Sequence, residues 1–128
     1  TVRDFHALID GRCLDIVQPS IPTVGGLTEA RRIATLASAA HLRVAPHVWG
    51  GAVGLATACH FIASLPASPH TDHPPHPSML EYDMSDSALR TQLLKVPLRL
   101  EAGHVLLPEG PGLGIELDSA AVERYRVC

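Results

Sequence analysis

The sequence predicts an α/β fold built from consecutive parallel strands, and three observations carry that expectation. Gln18-Pro19-Ser20-Ile21-Pro22-Thr23-Val24-Gly25-Gly26-Leu27-Thr28-Glu29 and Ala45-Pro46-His47-Val48-Trp49-Gly50-Gly51 each read as a short strand that ends in a turn and hands over to a helix. A third apolar run, Ser78-Met79-Leu80-Glu81-Tyr82, ends in the same way on a carboxylate. The polar residues at the three strand tips, Ser20, His47 and Glu81, fall 27 and 34 positions apart, close to the roughly 30 residues of a strand-helix unit. α/β enzymes present their chemistry at such tips, so the three side chains are expected on one face.

Each element follows from local pattern. Val2, Phe5, Leu8 and Ile9 form one apolar helical face within residues 1–14, with Gly11 suited to its C-terminal end. Ile16 and Val17 make a brief strand, cut off by Pro19 and Pro22 and followed by a bend. Gly25-Gly26 turns the chain, and Thr28 is read as the N-cap of a helix over 29–40, with Glu29 complementing its dipole. Leu42 to Ala45 returns to strand. A second helix runs from Gly50-Gly51 to about Leu65, with Val53, Ala56, Cys59, Ile62 and Ala63 on its apolar face. Proline, histidine and small residues between Pro66 and Pro77 predict a surface loop. Met79–Tyr82 is expected as a strand and Ser85–Leu94 as a serine-capped helix. Residues 98–107 read as a hairpin turning at Ala102-Gly103, and Asp118 caps a final helix through Arg126.

Composition narrows the function. The 128 residues are enough for one domain with its own core. Ten basic and 13 acidic residues leave a formal charge of −3, which argues against nucleic-acid binding. No apolar run approaches the ~20 residues of a membrane span and no charged-then-apolar leader opens the chain. The expectation is a soluble cytoplasmic protein without a membrane partner. Cys13, Cys59 and Cys128 are widely spaced and odd in number, which predicts reduced thiols, with Cys59 and Cys13 as small core residues.

Other candidate sites have plainer readings. His70, His73 and His76 recur at intervals of three, a spacing able to hold zinc or nickel, but the intervening prolines deny them a shared helical face, so a solvent loop is expected. His60 reads as a half-buried packing residue, and Arg31 and Arg32 as a solvated helix face. Gly110-Pro111-Gly112-Leu113-Gly114 lacks the lysine and following helix of a phosphate cradle and is read as a tight turn. Trp49 either lines a pocket or packs.

Asp15-Ile16-Val17-Gln18-Pro19, Gly25-Gly26-Leu27-Thr28-Glu29, Pro46-His47, Leu80-Glu81-Tyr82 and Gly110–Gly114, in this order and spacing, make the chain resemble the mandelate racemase and muconate lactonizing branch of the enolase superfamily. The resemblance implies the C-terminal portion of a (β/α)7β TIM-like barrel, about three strand-helix units over residues 1–97. Residues 98–128 would form a hairpin and tail returning toward a capping domain. It also implies abstraction of the proton α to a carboxylate, with the enediolate stabilised by magnesium (Mg2+) whose ligands lie on earlier strands, outside this chain. The developing charge of such a carbon acid requires preorganised positive charge.

Carried over position by position, His47 matches the seventh-strand acid or base, and Glu81 matches the eighth-strand carboxylate that hydrogen-bonds the substrate. Ser20 stands where the family has a sixth-strand aspartate that orients the histidine, so a weakened or altered base is expected. Implied partners are a small carboxylate such as an acid sugar or 2-hydroxy acid, the missing N-terminal part of the barrel with its capping domain, and further copies in a homo-oligomer of the full enzyme. A barrel without five of its strands leaves open edges, so a fragment, or a subunit completed by another chain, is expected and is inactive alone. Dehydratase and racemase chemistry both remain open, with a lean to the former. The alternative is a non-catalytic truncated α/β module that serves as a structural or interaction partner.

Overall fold

The computed structural model describes residues 1–66 and 78–127. His70, His73 and His76, the 66–77 loop beyond Pro66, and Cys128 lie outside the described residues. In chain order the elements are α1 (Val2–Asp10), β1 (Ile16–Val17), α2 (Ile21–Val24), α3 (Leu27–Ala39), β2 (Arg43–Val44), α4 (Ala52–Ala63), α5 (Ala88–Thr91), β3 (Leu100–Glu101), β4 (His104–Val105) and α6 (Ser119–Arg124).

β1 and β2 pair in parallel, Ile16 opposite Arg43 and Val17 opposite Val44. With α2 and α3 between them they form the expected βαβ unit. The pairing continues past both strands: Ala45 N–H donates to the Val17 carbonyl at 3.0 Å, and His47 N–H to the Pro19 carbonyl at 3.2 Å. Pro19 has no N–H of its own but its carbonyl still serves the ladder. That last bond sets His47 beside Ser20.

Between the strands the bend expected after Pro19 is a full helical turn, α2, with Pro22 in its first turn, where a missing N–H costs nothing. Gly25 (φ 113°) and Gly26 (φ 91°) then occupy conformations that side-chain-bearing residues rarely adopt. α3 begins at Leu27, so Gly26 and not Thr28 is its N-cap: Ala30 N–H already closes onto the Gly26 carbonyl at 3.0 Å. Glu29 is used across elements, its Oε1 accepting from Val2 N–H at 2.8 Å at the start of α1. α1 stops at Asp10, and the left-handed residue that ends it is Arg12 (φ 52°), Gly11 staying right-handed.

The core lies where β1, α2, α3 and α4 meet. Ala30, Ile33, Ala34 and Ala37 form the buried stripe of α3 at helical spacing, and Val17, Ile33 and Phe61 are fully buried. Small residues let α3 and α4 approach closely. α4 buries Ala52, Leu55, Ala56, Ala58, Cys59 and Phe61, more than a single face, while Val53 and Ala63 are exposed, contrary to expectation. It touches α2, α3 and α5, and a helix with neighbours on several sides buries several faces. Cys59 is buried as expected and burial pushes its thiol pKa up. Cys13 is exposed and is not the core residue it was expected to be.

Two later elements differ from the sequence pattern. Met79–Tyr82 enters no ladder among the described residues, although Leu80 and Tyr82 pack against the core. The helix expected over Ser85–Leu94 is only α5, with Ser87 at its N-cap position but no capping hydrogen bond from the serine side chain. Ser85 is held in a turn instead, its N–H and hydroxyl donating to the Asp83 carboxylate at 2.8 and 2.7 Å, and Arg90 closes that turn on Asp83 Oδ2 at 2.7 Å. At the other end Leu94 bridges Leu117, drawing the tail alongside.

The tail itself follows expectation. β3 and β4 form an antiparallel hairpin with Leu100 opposite Val105. Ala102 (φ 48°) and Gly103 (φ 79°) make its turn, both in the left-handed region that matches strand twist. Gly110–Gly114 is a turn closed by Gly114 N–H on the Pro111 carbonyl. Asp118 caps α6 by accepting from Ala121 N–H at 2.9 Å.

Candidate active site

The parallel ladder of β1 and β2 delivers Ser20 and His47 to one end of the sheet, and both line a pocket of about 240 Å³ with Ile21, Trp49 and Gly51. Pro46 and Val48 are buried on either side of His47, which anchors the backbone while the imidazole remains exposed. Trp49 is 76% exposed, so it contributes a wall to the pocket and no packing to the core.

Glu81 arrives from a different part of the chain. Its Oε2 lies 2.7 Å from His47 Nδ1 and accepts from Val48 N–H at 2.8 Å. An ionised carboxylate only accepts, so the shared hydrogen belongs to His47 Nδ1 and Nε2 is the nitrogen left to take or give a proton. The pair is partly exposed, with 47% of the His47 side chain and 40% of the Glu81 side chain open to solvent.

All three sequence-predicted residues therefore share one site, but their connections differ from expectation. The Ser20 hydroxyl makes no hydrogen bond among the described residues. Its backbone carbonyl instead receives Thr23 and Val24 N–H, both at 3.0 Å, at the start of α2. The turn of Asp83, Ser85 and Arg90 sits directly after Glu81 and holds the segment that presents it. That support had no signature in the sequence beyond a serine two residues after an aspartate. His60, on the same helix as Cys59, is half-buried as expected, and its Nε2 meets the Leu113 carbonyl at 3.0 Å, tying α4 to the glycine-rich turn.

Among the described residues no group of three or more His, Cys, Asp or Glu side chains is placed to hold a metal ion. The described residues do not fit a magnesium site. Nor is any helix among them long and apolar enough to cross a membrane.

A parallel strand-helix unit with Ser20 and His47 beyond its strand ends, and Glu81 brought onto His47 from a later segment, is part of an α/β barrel. Residues 1–121 match the family described as Enolase C-terminal domain-like, and the chain belongs to that family as the C-terminal part of its barrel. The D-galactarolactone cycloisomerase of Agrobacterium fabrum is 40% identical over 123 residues, which cover 96% of this chain and 32% of that protein. The D-xylonate dehydratase of Haloferax volcanii is 32% identical over 95% of this chain and 27% of its own length. The crystal structure of the 3,6-anhydro-D-galactonate cycloisomerase from Zobellia galactanivorans superposes with a TM-score of 0.83 at 35% identity, over 97% of this chain and 32% of that one. An enolase from Pantoea ananatis with bound D-gluconate and Mg superposes at 0.77 with 26% identity, over 99% of this chain and 29% of that one. The chain thus spans about a third of the length of the relatives it matches.

Proposed function

We propose that residues 1–97 supply the last part of the barrel, and residues 98–128 a returning tail, of an enzyme that moves a proton on the carbon α to a carboxylate. The substrate class is an acid sugar and the reaction a dehydration or isomerisation. The observation that carries this reading is the 2.7 Å contact of His47 Nδ1 with Glu81 Oε2 above the pocket lined by Ser20 and Trp49. A neutral imidazole held through Nδ1 has Nε2 available as base, and the imidazolium it forms can return the proton as acid.

The support from relatives is consistent in class, since they include acid-sugar dehydratases and a lactone cycloisomerase. Magnesium belongs to this reading only through residues outside those described, and no step here is assigned to it. The dehydratase form needs a single well-placed acid, which His47 can provide without help from Ser20. The same reading places the intact enzyme in the cytoplasm as a homo-oligomer.

The test uses the intact polypeptide that carries these residues, assayed with a panel of acid sugars and added magnesium salt in D2O. Wild-type protein is expected to turn over at least one acid sugar, with solvent deuterium appearing at the α carbon after isomerisation or, after dehydration, at the former β carbon, where the enol takes up a proton as the α carbon becomes a carbonyl. His47→Asn should lower turnover by about 10²-fold or more. Undiminished activity in that variant would sink the assignment.

A further inference from the structure

We infer that Glu81 is the positioning residue that selects the tautomer of His47, and that the Ser20 hydroxyl takes no part in that selection. The inference deepens the proton-transfer reading of the same site, but its first test does not depend on that reading.

Three observations converge. Glu81 Oε2 sits 2.7 Å from His47 Nδ1. The same oxygen accepts from Val48 N–H at 2.8 Å, so the carboxylate is clamped to the backbone next to the imidazole it faces. Ser20 lines the same pocket but its hydroxyl bonds to no described residue. In water a neutral histidine prefers its proton on Nε2. A fixed acceptor at Nδ1 reverses that preference and leaves the Nε2 lone pair as the basic site. The carboxylate is itself kept in place, since Asp83, two residues on, is locked by Ser85 and Arg90. A group so fixed acts through His47, and the site can carry an oriented imidazole with serine at position 20.

The experiment is ¹⁵N NMR of the histidine-labelled intact protein at a pH where the imidazoles are neutral, with His47 assigned by the signal lost in His47→Gln. In the wild type the His47 signals should show the proton on Nδ1. Glu81→Ala should move the population to the Nε2–H form, and Ser20→Ala should leave it on Nδ1. A wild-type His47 protonated on Nε2 overturns the inference without any variant, which covers the case in which Glu81→Ala does not fold. Retention of the Nδ1–H form in folded Glu81→Ala, or its loss in Ser20→Ala, overturns it equally. In the kinetic arm Glu81→Ala should lower kcat about 10-fold or more with little change in KM; a rise in KM alone would mark a substrate contact and count against it. If His47→Asn proves fully active, the functional reading fails while the tautomer result still decides this one.

Discussion

His47 and Glu81 are exposed enough that their pairing adds only about 0–1 kcal/mol to stability. What they contribute is direction. Removing Glu81 also takes the acceptor from Val48 N–H, so Glu81→Ala should lower stability by about 1–3 kcal/mol, most of it from that backbone hydrogen bond and little from the ion pair, read from denaturant midpoints. Gly114 presents a steric case: it sits at φ 64°, and a Cβ there would lie 2.8 Å from the carbonyl carbon of Pro108 and 2.9 Å from that of Glu109. Those are backbone atoms that cannot swing aside. Gly114→Ala should destabilise by about 1–3 kcal/mol, read from denaturant midpoints, and an unchanged midpoint would show that the turn relaxes freely. Of these residues the strand tips were legible, because Pro and Gly punctuate the turns around them. That Cys13 is exposed was not, since a lone apolar-looking thiol carries no local sign of what covers it.

At the level of elements, capping shows both outcomes. Asp118 was readable as a cap and is one, so Asp118→Ala should cost about 1 kcal/mol by the same measurement. Glu29 was readable as acidic in the first turn of its own helix, yet it bonds Val2 N–H of α1, 27 residues away. Two carboxylates at such junctions should shape acid stability. The Val2 N–H foremost, then Arg32, holds Glu29 below the usual carboxylate range against an opposing effect of burial. The Ser85 N–H, the Ser85 hydroxyl and Arg90 do the same for Asp83. A carboxyl whose pKa is lower folded than unfolded binds fewer protons in the native state. Its stabilisation is present above about pH 4 and is lost as pH falls through the folded value. Asp83→Asn should therefore flatten the fall in stability below about pH 4; an acid limb identical to wild type would remove Asp83 from that account.

For the molecule as a whole, Phe61 is fully buried in the core to which α3 and α4 both contribute, and Phe61→Ala should cost about 3–5 kcal/mol, read from denaturant midpoints. Trp49, Met84 and Val96 stay largely exposed, as suits a chain that spans about a third of its relatives. The sequence by itself determined what depends on near neighbours: the first strand-helix-strand unit, the hairpin turn at Ala102-Gly103, the Asp118 cap and the placing of Ser20 and His47 just beyond their strands. Only the tertiary structure decided which side chains meet. Glu81 reaches His47 across 34 residues, and α5 is shortened by a turn that Arg90 closes, because such contacts depend on the path of the chain through space and on geometry that no local pattern encodes.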